Sequence, residues 1–346
     1  MRLNMETKGE TGLKKKAVAL LSGGLDSTLA VKTMIDQGVE VIALNFTSPF
    51  CNCTQKNSGC DHEASRVAKE LGVEIKVISK GLDYINNIVR NPKHGYGKHM
   101  NPCIDCRIFM HKAAKKVMEE TGASFLITGE VLGQRPMSQR RDTLDIIERE
   151  SDLKGHVVRP LSAKLFTPTI PEQKGLINRD GLLSIQGRSR KEQMELADEK
   201  GITDYPCASG GCKLTDENFA KKIKDLFDHK EKIAMKDVHL LNVGRHFRLD
   251  KNTKLVIGRN EHENKKLEYI AQPDDYLFMP DNFPAPTGIL CGEISDDKEA
   301  FICKALLKYS KHESGAFFIK DVKTNNVKRV EITGRIDDKT LESMRI

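Results

Sequence analysis

Residues 17–22 form a continuous apolar run, Ala-Val-Ala-Leu-Leu-Ser. A short run of this kind, with no polar alternation, predicts a strand buried on both faces. Two glycines follow, and then a helical stretch from about Ser27 to Gln37 that Gly38 closes. Residues 39–44 read as a second buried strand. The order strand, turn, helix, strand opens a parallel α/β domain. The alternation goes on with a helix over 62–71 and a strand over 73–78. Ile108, Met110, Ala113, Ala114 and Val117 recur at helical spacing within 106–121, and short apolar strands follow at 124–128 and 157–160.

The pattern changes twice after that. Residues 166–235 carry Pro168, Pro171 and Pro206 and two helical stretches, at 190–200 and 217–229, which predict a helical extension. From 236 onward short strand-like runs at 239–243, 254–257 and 287–294 alternate with turns, and a helix is expected over 299–309. The expected organisation is a disordered lead-in over 1–14, an α/β domain over 15–165, the helical extension over 166–235, and an α+β module over 236–346. At 346 residues, two or three domains is the natural division.

Composition narrows the class. Hydrophobic content of 38% supports buried cores, and the net charge of +7 permits a nucleic-acid partner without requiring one. No apolar run reaches the roughly eighteen residues of a membrane span. The polar N-terminus lacks the apolar core of a secretory leader, so a cytoplasmic chain is expected. The nine cysteines are clustered: Cys51, Cys53 and Cys60; Cys103 and Cys106; Cys207 and Cys212; with Cys291 and Cys303 apart and read as structural. In such a chain clustered cysteines indicate a metal, an iron–sulfur cluster or sulfur chemistry rather than a disulfide framework.

Ser22-Gly23-Gly24-Leu25-Asp26-Ser27 lies between a strand and a helix. The glycines let the backbone turn tightly, and the amides and helix N-terminus present partial positive charge to a phosphate. Ser22 and Ser27 add hydroxyl donors. Asp26 would repel a phosphate directly, so its expected role is to hold Mg²⁺ or to orient the loop. The string lacks the lysine of a Walker loop and the third glycine of a dinucleotide fold. Cys103-Ile-Asp-Cys106 opens a helix, where a thiol pKa is expected to fall. The pair is suited to binding metal, forming a disulfide or carrying sulfur. Cys212 follows Gly210-Gly211, which allow its thiol a close approach to a ligand.

The Ser-Gly-Gly-x-Asp-Ser string resembles the PP-loop of the adenine nucleotide α-hydrolase-like superfamily, and residues 15–230 resemble the tRNA thiouridylases that include ThiI, MnmA and TtuA. The resemblance implies ATP and Mg²⁺ at residues 22–27, cleavage of ATP between its α- and β-phosphates, and adenylation of a tRNA uridine before sulfur is inserted. Thr128-Gly129-Glu130 stands where these enzymes often have Thr-Gly-His beside the nucleotide, which implies a nucleotide contact at Gly129 and leaves Glu130 without an assigned role. Members that use a [4Fe-4S] cluster hold it with a CxxC pair and one distant cysteine, here Cys103, Cys106 and Cys212, with the fourth iron open. Members of the MnmA type use a catalytic cysteine pair and a persulfide, here Cys106 and Cys212. Cys103 favours the cluster. Arg135, Gln134 and Ser138, and the basic Arg188, Arg190 and Lys191, are further candidates for phosphate or RNA contact.

Val256-Ile-Gly-Arg-Asn260, followed by Glu263-Asn264, resembles the NFACT-R RNA-binding domain. The expectation is therefore a tRNA sulfurtransferase with a Rossmann-like PP-loop domain, a helical extension and a C-terminal RNA-binding module. Its expected partners are tRNA and a sulfur donor, either sulfide or a cysteine desulfurase, with a homodimer left open. Its expected product is 4-thiouridine at tRNA position 8, ahead of 2-thiouridine at the wobble position or a small-molecule product. Cys51, Cys53 and Cys60 have three open readings: a second metal site, a sulfur relay, or free thiols.

Overall fold

The computed structural model describes residues 14–51, 60–205 and 211–346, the side chains of residues 60–62 excepted. Cys53, Cys207 and nearly all of the expected lead-in lie outside the described residues. The chain divides into two compact units, residues up to 97 with 101–212, and residues 98–100 with 213–346.

The first unit is a parallel sheet with helices on both faces. Its strands β1 (Lys16–Leu20), β2 (Glu40–Thr47), β3 (Glu74–Ser79), β4 (Phe125–Ile127) and β5 (Val157–Val158) take the order β3-β2-β1-β4-β5. All pairings are parallel. The helices are α1 (Leu25–Ile35), α2 (Cys60–Glu70), α3 (Cys103–Thr121), α4 (Arg141–Glu150) and α5 (Lys191–Glu199). The apolar run at 17–22 is continuous because β1 is central and buried on both faces. Ala17, Ala19 and Leu21 pack with Leu25, Leu29 and Met34 of α1. Val18 and Leu20 pack with Ala114, Val117 and Met118 of α3 on the opposite face. β1 runs parallel to neighbours reached by crossovers in opposite directions, so the carboxyl end of β1 beside β4 is the topological switch point where such sheets bind ligands.

The second unit is an antiparallel sheet of β6 (Arg245–Asp250), β7 (Thr253–Ile257), β8 (Asp275–Pro280), β9 (Gly288–Cys291), β10 (Ser314–Asp321) and β11 (Val327–Thr333), in the order β11-β10-β8-β9-β7-β6. Helices α6 (Glu217–His229), α7 (Met235–Leu240), α8 (Glu261–Ile270) and α9 (Asp296–Lys308) accompany it. Leu255 and Ile257 face a core with Ile302, Cys303 and Leu306 of α9, whereas Val256 faces Leu240 and Leu267. The expected helical extension is divided between the units. Its second helix, α6, belongs to the second, where the Asp225 carboxylate accepts from Arg248 Nη2 at 2.7 Å and Lys254 Nζ at 2.9 Å. The strand expected over 239–243 is instead the end of α7 and the turn that follows it. Ala234 N donates to the Asp237 carboxylate at 2.8 Å and starts that helix, and an apolar run this short does not separate strand from helix by periodicity.

Among the described residues no helix is long and apolar enough to cross a membrane.

Candidate active site

The loop after β1 is built around glycine. Gly23 has a φ of +78°, and a Cβ there would lie 2.8 Å from the Glu63 backbone carbon. Gly24 caps α1 in an extended conformation. Ser27 Oγ donates to Gly24 O at 2.9 Å and lies 3.1 Å from Ser22 Oγ, so both hydroxyls are committed to the shape of the loop. Asn45 Nδ2, from β2, donates to Leu21 O at 2.8 Å and fixes the entry to the turn.

Gly129, just beyond β4, presses on the same turn from the other side. A Cβ at Gly129 would lie 2.6 Å from Asp26 C and from Ser27 N. Gln134 Nε2 donates to Asp26 Oδ2 at 3.1 Å. The other Asp26 oxygen, Oδ1, is buried with no hydrogen-bond partner. An orphaned carboxylate oxygen beside a phosphate-type loop suits a hard divalent cation.

Glu130 follows Gly129 and is sealed in. It accepts from Thr128 Oγ1 and from Arg159 Nε, each at 3.1 Å, and Arg107 Nη1 stands 3.7 Å from its other oxygen. Burial acts to raise the Glu130 pKa, but Arg159 and Arg107 outweigh it and hold the carboxyl down at about 2. Arg159 also pairs with Glu148 of α4. Beside them His111 of α3 is fully buried, and that burial pushes its imidazole down to about 4. A histidine at position 130 would leave Arg159 and Arg107 without this carboxylate. Glu130 is therefore the anionic centre of a packed charge network.

Cys103 and Cys106 lie one turn apart at the start of α3, as the spacing implied. Tyr84, in the short helical stretch after β3, reports on the three candidate cysteines. Burial pushes its hydroxyl well above the ordinary phenol range, and Cys106, which hydrogen-bonds it, Cys212 and Cys103 each push further in the same direction. Of the three, Cys106 is the one that hydrogen-bonds the Tyr84 hydroxyl. The expected fall in the Cys103 pKa is reversed: burial first, and the neighbouring Cys106 second, raise it against the pull of Arg107 and Arg135. The helix N-terminus is outweighed because the thiol is taken out of water.

Lys80, the first residue past β3, was not visible from sequence. It is buried, and its Nζ donates to Cys106 Sγ at 3.2 Å and lies over the Tyr84 ring at 5.2 Å. Its position at the carboxyl end of a strand was the available signal. Cys51, just past β2, pairs across an isolated antiparallel bridge with Cys212. Among the described residues no group of three or more Cys, His, Asp or Glu side chains is placed to hold a single metal ion. An iron–sulfur cluster makes a different demand, since each cysteine binds its own iron corner, and three thiols are the right donor class for it. Arg188 and Lys191 are exposed, Arg190 Nε is buried without a hydrogen-bond partner, and Ser138 is buried.

Residues 12–164 match the family model of the thiamine biosynthesis protein ThiI. That match takes in β1 to β5 of the first unit. Residues 244–342, in the second unit, match the family model of the NFACT protein RNA-binding domain. The tRNA-specific 2-thiouridylase MnmA of Leptospira interrogans is 30% identical over 110 residues, 28% of this chain and 28% of that protein. A probable tRNA sulfurtransferase of Methanothermobacter thermautotrophicus is 31% identical over 124 residues, 36% of this chain and 31% of that protein. The chain thus spans under a third of the length of each. A crystal structure of a 4-thiouridine synthetase–RNA complex with bound ATP is 26% identical over 54% of this chain and 41% of that one, with a TM-score of 0.38.

Proposed function

We propose that this chain is an ATP-dependent tRNA sulfurtransferase that adenylates a uridine and replaces its carbonyl oxygen with sulfur, giving 4-thiouridine at tRNA position 8. What supports this most is that the loop at 22–27 follows β1, Cys51, opposite Cys212, follows β2, and Lys80, bonded to Cys106, follows β3, all at one carboxyl edge. The ThiI and NFACT matches support the same reading.

The chemistry needs both halves. A uridine carbonyl oxygen is a poor leaving group. Its attack on the α-phosphorus of ATP expels pyrophosphate and leaves the oxygen esterified to AMP. A sulfur nucleophile then adds to the ring carbon, and AMP departs with the oxygen. In this sequence the amides of Gly23 and Gly24 and the N-terminus of α1 take up phosphate charge. Asp26 would hold Mg²⁺, which when bound supplies positive charge to the phosphates, while Gln134 orients the carboxylate and Gly129 and Leu25 set the loop against its neighbours. Cys103, Cys106 and Cys212 would hold a [4Fe-4S] cluster, which when bound supplies an iron corner free to carry sulfide. Lys80 Nζ donates to Cys106 Sγ and holds that thiol in place.

A 2-thiouridine product is the second reading, favoured by the likeness to MnmA. The deciding experiment is anaerobic incubation with unmodified tRNA, ATP, Mg²⁺ and sulfide, followed by digestion and mass spectrometry of the nucleosides. ATP-dependent thiouridine is the expected result, and its isomer and position choose between the two products. ATP consumption with no thionucleoside would move the substrate to a small molecule.

A further inference from the structure

The mechanism above leaves Cys51 unused, yet the fold puts it directly opposite Cys212. The placement is built rather than incidental. Phe50 is buried, Cys51 N donates to Ser48 O at 3.2 Å, and the turn so formed sets the chain for the bridge. Both side chains are half-buried thiols. Residues opposed in an antiparallel pair have Cα atoms about 4.5–5.5 Å apart, inside the about 4.4–6.8 Å that a disulfide spans. Cys106 is held differently, against Lys80 and Tyr84, and Cys103 shares its helical turn.

We propose that Cys51 and Cys212 are a redox-active thiol pair that closes into a disulfide, withdrawing Cys212 from the three-cysteine site, and reopens on reduction. With a low-molecular-weight disulfide as oxidant, one thiolate attacks RSSR, forms a mixed disulfide and releases RSH. The second thiolate then displaces the remaining RSH. Two thiols lose two electrons and two protons, and RSSR gains both. The pairing itself stands independently of the sulfurtransferase reading, whereas the consequence for Cys212 as a ligand rests on it.

The test uses the full chain, purified anaerobically without iron and incubated with oxidised glutathione. Free thiols are then blocked with N-ethylmaleimide and the peptides mapped. A Cys51–Cys212 linked peptide is expected, cleaved by dithiothreitol and absent from Cys51→Ser. Circular dichroism of Cys51→Ser and Cys51→Val checks that the variants fold. A Cys103–Cys106 or Cys106–Cys212 linkage as the main product, Cys212 joined to Cys53 or Cys60, or glutathione adducts alone would each overturn the proposal. Iron loading is measured in parallel. Oxidised wild type should take up about tenfold less iron than reduced wild type, and oxidised Cys51→Ser should load like the reduced protein. Equal loading of oxidised and reduced wild type overturns the withdrawal of Cys212. No iron uptake in any state, with the linked peptide present, refutes the cluster reading and leaves the thiol pair standing.

Discussion

Gly129 shows how little room the nucleotide end of the sheet leaves. A methyl group there would meet the backbone of Asp26 and Ser27 at 2.6 Å, and backbone cannot swing aside as a side chain does. Gly129→Ala should therefore push the loop off its position, at a cost of about 1–3 kcal/mol. Pyrophosphate exchange should show a raised KM for ATP, and the melting temperature should fall. Asp26→Ala should cut exchange by about a hundredfold or more, because it removes the buried, unpartnered carboxylate oxygen proposed to hold Mg²⁺. Thiol content and any iron binding should be unchanged, which separates this loss from a failure to fold.

His111 and Glu130 carry a pH signature. The His111 imidazole falls from 6.5 in the unfolded chain to about 4 in the folded one. Between those values the unfolded chain holds the extra proton, so stability is lost as pH falls from 6.5 towards 4, by up to roughly 3 kcal/mol. Glu130 falls from 4.5 to about 2, so its contribution is intact above 4.5 and is lost as pH drops through the range below it. Urea midpoints measured from pH 7 downward should decline in two stages. His111→Gln should flatten the upper stage and leave the lower one in place.

At the level of elements, what was legible in the sequence was what burial writes into it. The central strand β1 reads as an unbroken apolar run because helices cover both faces, and α6 matches its expected bounds because its apolar positions Phe219, Ala220, Ile223 and Leu226 repeat at helical spacing. The helix α4 and the strands β6, β8, β10 and β11 escaped notice. β11 is exposed along most of its length, so its Val-Lys-Arg-Val-Glu-Ile-Thr sequence carries little core signal. The chemistry of the site divides in the same way. The PP-loop and the CxxC pair are local strings and could be read. The meeting of Lys80 with Cys106, and of Cys51 with Cys212, depends on crossovers that bring strand ends together from distant sequence. The division of the 166–235 segment was hidden for a related reason. α6 is claimed by Asp225, which gathers Arg248 of β6 and Lys254 of β7. Asp225→Ala should leave those cations half-buried and unpaired and destabilise the second unit by about 3 kcal/mol. Thermal unfolding of Asp225→Ala should show the loss, and Asp225→Glu should recover part of it.

For the whole molecule, 56 basic against 49 acidic residues leave a charge of +7, too small by itself to explain a specific nucleic-acid partner. The second unit supplies a more particular surface. α8 begins at the Gly258-Arg259-Asn260 turn, exposes Lys265, and presents Tyr269 at 92% exposure. A fully presented tyrosine on a helix that also carries Lys265 and Lys266 has the make-up of a stacking platform with backbone contacts beside it. The two kinds of contact separate by salt. Each lysine that neutralises a phosphate on single-stranded RNA contributes about 0.7 to the slope of log affinity against log salt. Lys265→Ala and Lys266→Ala should each lower that slope for tRNA by up to this amount. Tyr269→Ala should weaken binding by about tenfold at every salt concentration and leave the slope alone, because stacking releases no counterions. Binding isotherms for the full chain across a salt series measure both quantities. Unchanged slopes and affinities in all three variants would place the RNA contact elsewhere on the unit and leave Tyr269 as an exposed residue of the helix only.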